Sequence, residues 1–185
     1  MPARYKSLIR EWIEVIVIAF VIAMMVQAFV IKPFKIPSGS MENTLQVGDM
    51  IFVNRFVYLF SSPQRGDIVV FKYPENPNQD FIKRLIGLSG DTVAISDGKV
   101  LINGKVLDEP YIKESPVNNY GPVVVPADSY LMLGDNRNNS RDSRFWGFLP
   151  KSMIKGKAFV IYWSSKDRTG SALPYWQLWR AKKIK

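Results

Sequence analysis

The 185-residue chain has room for one domain of ordinary size and a short appendage. It contains no histidine and no cysteine, which excludes a Ser-His-Asp triad, a thiol nucleophile, a disulfide framework and a Cys/His zinc site. Its formal charge of +9 suits a polyanion or an anionic membrane surface, and an apolar content of 47% argues against disorder.

Residues 1–11 are polar, with Arg4, Lys6 and Arg10. Residues 15–31 then read VIVIAFVIAMMVQAFVI, in which Gln27 is the only polar side chain. With Trp12 and Ile13 the run reaches about 20 positions, interrupted by Glu14, or roughly 30 Å of helix, enough to cross a bilayer core. Trp12 is placed as an interfacial anchor, and Lys32 and Lys35 can snorkel at the far end. A cleavable signal peptide competes with this reading, because Val26-Gln27-Ala28 loosely fits a small-residue cleavage site. Against it, the apolar run continues through Phe29, Val30 and Ile31. The expected organisation is a cytoplasmic tail over 1–11, a transmembrane anchor over 12–31, a β domain over 32–164 and a basic, aromatic tail over 165–185. The basic residues lean towards a cytoplasmic N-terminus. They are otherwise spread out and accompany no nucleic-acid-binding motif, so lipid, not nucleic acid, is the expected partner.

Beyond the anchor stands Ile36-Pro37-Ser38-Gly39-Ser40-Met41. Pro37 fixes one dihedral, and Gly39 lets the chain turn or approach another backbone. Such a stretch can bring two hydroxyls and a backbone N–H to one point, as a nucleophile with an oxyanion hole requires. The same composition also describes a plain linker. Without histidine, a serine nucleophile needs another base, and lysine is the known substitute.

After this stretch the period changes. Residues 49–56, 67–73 and 81–86 are short, rich in Val, Ile and Phe, and bounded by Gly, Pro or Asn, which predicts strands. Residues 100–107 predict a hairpin turning at Asn103-Gly104. Further strands are expected over 123–125, 129–133 and 157–163. The fold class is therefore mainly β, with antiparallel pairing favoured by the short connections. Residues 56–60 (FVYLF) read either as buried core or as a loop dipping into lipid. The C-terminal Trp, Tyr and Lys residues read either as a membrane-interfacial segment or as a loose extension.

Lys83 alone among the lysines lies in the middle of an apolar strand beside Gly-rich turns. Alternation sets it on the face opposite Ile82 and Arg84. It points either to solvent or inwards. If inwards, burial lowers its pKa and makes it a general base near neutral pH, provided its pocket is apolar and lacks an adjacent carboxylate. The third constellation is the polar loop over 134–147, GDNRNNSRDSRFWG. Its two acidic residues, separated by arginines, fit a hydrogen-bond network with an Asp142–Arg144 pair better than a calcium loop.

Taken together these segments resemble bacterial type I signal peptidases. The resemblance rests on Ser38-Gly39-Ser40-Met41 after an anchor, Gly48-Asp49 opening a strand, the segment from Arg65 to Tyr73 leading to Lys83-Arg84, and the loop from Gly134 to Gly147. It implies a Ser-Lys peptidase β fold without metal or cofactor. Ser40 would be the nucleophile and Lys83 the general base. Ser40 N–H and the Ser38 hydroxyl would form the oxyanion hole. Ser140 would orient the Lys83 amine, and Asp142 and Arg144 would support the site as an ion pair. A preprotein would bind as an extended strand between the segments of Asp80 to Ile82 and Ile36 to Ser38, Pro37 included. Ile36, Met41, Leu45, Phe81 and Ile82 would line shallow pockets for Ala-X-Ala-like sites. The resemblance also implies a single-pass protein of the bacterial plasma membrane with its catalytic domain outside. Two rival classes are a self-cleaving transcriptional regulator, which would need a DNA-binding domain where this chain has its apolar run, and a non-catalytic anchored binding domain.

Overall fold

The computed structural model describes residues 10–21, 31–164 and 182–184. Residues 10–21 form helix α1, whose apolar side chains from Trp12 to Val21 are exposed. Among the described residues no helix is long and apolar enough to cross a membrane. Residues 22–30, which carry the second half of the expected anchor, lie outside the described residues.

The domain is built from two antiparallel sheets. The larger contains β1 (Ile31–Lys35), β2 (Met50–Asn54), β11 (Ile154–Trp163), β3 (Ile68–Tyr73), β4 (Asn76–Gly87), β9 (Ser129–Leu133) and β10 (Leu149–Pro150), in that spatial order. β3 pairs with the first part of β11, and β12 (Lys182–Lys183) pairs with Val160 and Ile161 further along it. The smaller sheet runs β7 (Lys105–Val106), β6 (Lys99–Ile102), β5 (Thr92–Ser96), β8 (Tyr120–Val124). The mainly β, antiparallel expectation therefore holds.

Local chemistry accounts for several elements. Asn103 and Gly104 both have positive φ, 51° and 79°, the backbone that a two-residue hairpin turn between β6 and β7 demands. β2 alternates half-buried and buried positions, the period-2 pattern of a strand with one covered face. The start of the domain differs from expectation. Ile31 begins a strand that pairs with Asn54, and Lys32 and Lys35 are strand residues paired with Val53 and Met50. The segment over 56–60 is neither core nor plain loop. Val57–Phe60 form a short helix, α2, with Leu59 and Phe60 exposed.

Three apolar clusters hold the sheets. One gathers Ile36, Met41 and Leu45 with Ile51, Val53, Val70 and Ile82. A second joins Ile86, Leu131 and Leu133 of the large sheet to Val93, Ile95, Val100 and Ile102 of the small one. The third packs Val69, Phe71, Leu85 and Met132 against Trp146. β4 is consequently covered on both faces from Ile82 onwards, and its polar first half is exposed. Ile86, fully buried between the sheets, sets a modest test of this packing. Ile86→Val is expected to cost about 0.5–1.5 kcal/mol in a urea melt.

Candidate active site

Ser40 sits in the short 3-10 turn η1 (Gly39–Met41), which follows β1. Ser38, in extended backbone, leads into it. The turn is pinned from below by the burial of Met41 and Leu45, and from the side by Asn136, whose N–H donates to Ser40 O at 3.1 Å. Lys83 approaches from β4, where its register partner is Val69 of β3.

Lys83 Nζ lies 2.8 Å from Ser40 Oγ, although 43 residues separate the two in sequence. Its other hydrogen bond goes to Ile82 O at 2.9 Å. The Phe81 ring lies 5.2 Å from the amine. The side chain is 4% exposed, so of its two sequence readings the inward one is observed. Burial pushes the Lys83 pKa down to about 8, while Asp142 and Asp135 pull it back upward at longer range. Neither hydrogen-bond partner of the amine is a carboxylate, so burial prevails. An amine with this pKa keeps a neutral fraction of roughly a tenth near pH 7, far above that of an ordinary lysine, and in that form can take a proton from the hydroxyl beside it.

The pair opens on a cavity of about 470 Å³. Pro37 and Ser38 border it with Gly39 on one side, and Asp80, Phe81 and Ile82 on the other. Asn139 and Arg141 of the 134–147 loop complete the lining. The walls are the segment that follows β1 and the middle of β4, which leaves a slot between two stretches of chain. Such a slot accepts a peptide as an added strand.

Relatives point the same way. The family model described as signal peptidase, peptidase S26, matches residues 9–163. A probable signal peptidase I-2 of Synechocystis sp. is 48% identical over 160 residues, covering 82% of this chain and 73% of that protein. The signal peptidase I of Leptolyngbya laminosa is 48% identical over 164 residues, covering 85% and 81%. A crystallised signal peptidase I from Enterococcus faecalis V583 is 36% identical, covers 52% of this chain and 97% of its own, and superposes with a TM-score of 0.48. The chain belongs to the signal peptidase S26 family.

In this S26 peptidase the remaining sequence-named residues divide. The buried Asp142 and the half-buried Arg144 form an ion pair, Nε to Oδ1 at 2.8 Å, and Asp142 also accepts from Gly134 N at 3.1 Å. Ser38 Oγ stands 3.5 Å from Ser40 Oγ, at the long limit of a hydrogen bond. Asp80 is exposed and ion-paired with Lys155 at 2.6 Å. Ser140 differs from expectation: its buried hydroxyl has no hydrogen-bond partner among the described residues, and the Lys83 amine is engaged by Ser40 Oγ and Ile82 O instead. The hydroxyl packs over Gly134, where a Cβ would come within 2.2 Å of it. Ile36, Met41 and Leu45 also differ. They do not line the cavity but form the core under the serine turn, with 2%, 0% and 0% exposure. Their apolar character supports the turn from beneath.

Sequence reasoning left three arrangements unassigned. Arg84 makes a two-pronged pair with Asp135 at 2.9 and 2.7 Å, to which Thr44 Oγ1 donates at 2.5 Å. Arg137 does the same with Glu109, both bonds at 2.7 Å. Asn136 reaches the serine turn. All these residues except Thr44 and Glu109 lie in the quoted motifs, but their partners are far along the chain and no local spacing reveals them.

Proposed function

We propose that the protein is a membrane-anchored serine endopeptidase that removes signal peptides from exported preproteins after Ala-X-Ala-like sites. The observation that carries this reading is a buried, low-pKa lysine amine in contact with a serine hydroxyl at the wall of a peptide-sized slot. Ser40 Oγ attacks the scissile carbonyl carbon as its proton passes to Lys83 Nζ. The oxyanion is held by Ser40 N–H and the Ser38 hydroxyl. Lys83 gives the proton to the leaving nitrogen, the peptide C–N bond breaks, and the signal peptide remains as an ester on Ser40. Water then attacks the ester, Lys83 takes its proton, and the Ser40 oxygen leaves and is reprotonated. Asp142 and Arg144 keep the 134–147 loop against the site, and Ser140 fills the space beside Gly134.

The preprotein lies as an extended strand between Pro37-Ser38 and Asp80 to Ile82, and small side chains suit the shallow walls. The anchor lies within residues 12–30, before Ile31 opens β1, with residues 1–11 in the cytoplasm and the catalytic domain on the outer face of the bacterial plasma membrane. The exposed apolar side chains of α1 support this, because such a helix is stable in lipid and not in water. So does the position of Ile31, which opens β1 at the end of the apolar run and so joins that run to the domain without a linker. Confinement of enzyme and substrate to one plane raises their effective concentration.

The test is cleavage of a purified secretory precursor by the full-length protein in liposomes, wild type beside Ser40→Ala, with sequencing of the new N-terminus. Wild type is expected to cut after a small residue preceded, two positions earlier, by another, and Ser40→Ala to be inert. Equal cleavage by both proteins removes Ser40 from the chemistry.

A further inference from the structure

The peptide bond joining Gly39 to Ser40 is held by a residue from the far end of the domain. Asn136 Nδ2 donates to Gly39 O at 3.0 Å, and Asn136 N donates to Ser40 O at 3.1 Å. Within the turn, Glu42 N also donates to Gly39 O, at 3.1 Å. Asn136 is 4% exposed. The orientation of its amide follows from its neighbours, since Nδ2 faces both Gly39 O and, at 3.3 Å, Glu42 Oε2. A flipped amide would set oxygen against two oxygens. Glu42 is held in turn by Lys113 Nζ at 2.9 Å, and Lys113 N donates to Asp135 O at 3.1 Å. The two loops and the serine turn thus lock one another.

Gly39 O and Ser40 N–H lie on opposite edges of one planar unit. A donor that fixes the direction of the carbonyl also fixes that of the N–H. It polarises the unit as well, which strengthens the N–H as a donor. That N–H is the backbone group required for the oxyanion. Its hydroxyl companion, Ser38, is more loosely set, 3.5 Å from Ser40 Oγ in exposed backbone.

We propose that Asn136 is a positioning residue of the oxyanion hole, aligning and polarising the Gly39–Ser40 peptide without touching a reacting atom. This rests on the reading of Ser40 as nucleophile.

The experiment compares full-length wild type, Asn136→Ala, Asn136→Asp, Ser40→Ala and the Ser40→Ala/Asn136→Ala double variant in detergent micelles. Three quantities are read: kcat and KM for a peptide with an Ala-X-Ala site, the inhibition constant of the matching peptide aldehyde, and the Kd of uncleaved peptide on the Ser40→Ala backgrounds. In the aldehyde adduct Ser40 Oγ bonds to the carbonyl carbon, the C=O electron pair moves to its oxygen, and the serine proton passes to Lys83. The adduct therefore reports on the oxyanion hole, and the uncleaved peptide does not. Asn136→Ala is expected to lower kcat about 10- to 100-fold, leave KM within about 2-fold, and weaken aldehyde binding by the same factor as kcat. Peptide affinity should match between Ser40→Ala and the double variant. Asn136→Asp keeps the size and the backbone N–H but sets oxygens against Gly39 O and Glu42 Oε2, so it should lower kcat at least as far as Asn136→Ala, and it is read in place of that variant where the alanine protein does not fold. A kcat within about 3-fold of wild type, or parallel losses of aldehyde and uncleaved-peptide binding, overturns the proposal. Cleavage by Ser40→Ala at the wild-type rate overturns instead the assignment of the nucleophile.

Discussion

Replacing Lys83 with methionine is expected to lower kcat by a factor of about 1,000 or more while making the folded chain more stable near neutral pH. The loss follows from removing the amine that is placed to take the Ser40 proton. The gain follows from the cost of a buried ammonium. Burial holds the Lys83 pKa at about 8 against an ordinary value of 10.5. Below pH 8 the lysine is protonated in both the folded and unfolded chain, and the folded state bears the whole penalty, about 3 kcal/mol. Between pH 8 and 10.5 the folded chain has released a proton that the unfolded chain still holds, so stability climbs with pH. Above 10.5 the contribution is gone. Losing the amine's bonds to Ser40 Oγ and Ile82 O offsets part of the gain, at about 1 kcal/mol each. A net stabilisation of roughly 1–2 kcal/mol should appear in urea melts at pH 7, shrink above pH 8 and reverse to a net loss towards pH 10.5, where only the lost hydrogen bonds remain. A variant no more stable than wild type at pH 7 would count against the buried ammonium. Wild-type turnover should rise about tenfold per pH unit below pH 8 and level off above it, the acid limb of a lysine base.

This cost explains why the site needs such a rigid frame. An amine that gains by reaching water is kept from it by packing on both faces of β4, by Phe81 and by the loop over 134–147. Asp135 and Asp142 lie near enough to oppose burial but bond to arginines and not to the amine. The frame is built from neutralised charges, which leaves Lys83 poised rather than salt-bridged.

Features that depend on a few neighbouring residues were legible in the sequence. The Asn103-Gly104 hairpin and the strand Ser129–Leu133 needed only turn chemistry and a run of apolar residues. The Ser40 turn and Lys83 stood out because histidine and cysteine were absent and one lysine interrupted an apolar strand. β1 was not legible, because its Ile31 closes the apolar run and Pro33 demotes a strand. The first half of β4 was hidden by its polar residues, since it projects beyond the covered part of the sheet. The pocket-wall role of Ile36, Met41 and Leu45 comes from the family resemblance alone and not from their own surroundings in the sequence. Whether such a residue faces the slot or the core depends on what lies beneath the turn, and that is supplied by β2, β3 and β11. Ser140 belongs with these, because its hydroxyl's surroundings are set by the fit against Gly134 rather than by its place in a motif.

The second large effect should come from Arg84. Its guanidinium is 2% exposed, pairs with Asp135, donates to Gly66 O at 2.8 Å and stacks 3.8 Å from the Tyr111 ring centroid. Asp135 is 0% exposed. Arg84→Met keeps most of the stem but leaves the carboxylate buried without its cation, with Thr44 Oγ1 still donating to it. The expected loss is about 3–5 kcal/mol of unfolding free energy. Most of it reflects the stranded charge rather than the net worth of the pair, so the Arg84→Met/Asp135→Asn double variant should regain a large share. Its amide still accepts from Thr44, and no uncompensated ion remains. Urea midpoints of wild type, single and double variants decide between the two accounts. A single-variant loss below about 1 kcal/mol, or a double variant no better than the single, would mean that the ion pair is not what holds this region together. Turnover should fall with the single variant as well, because Asp135 precedes Asn136 and its carbonyl receives the Lys113 N–H. A carboxylate forced to shift towards water pulls on the same loop that grips the Gly39–Ser40 peptide, so stability and catalysis at this site share one support.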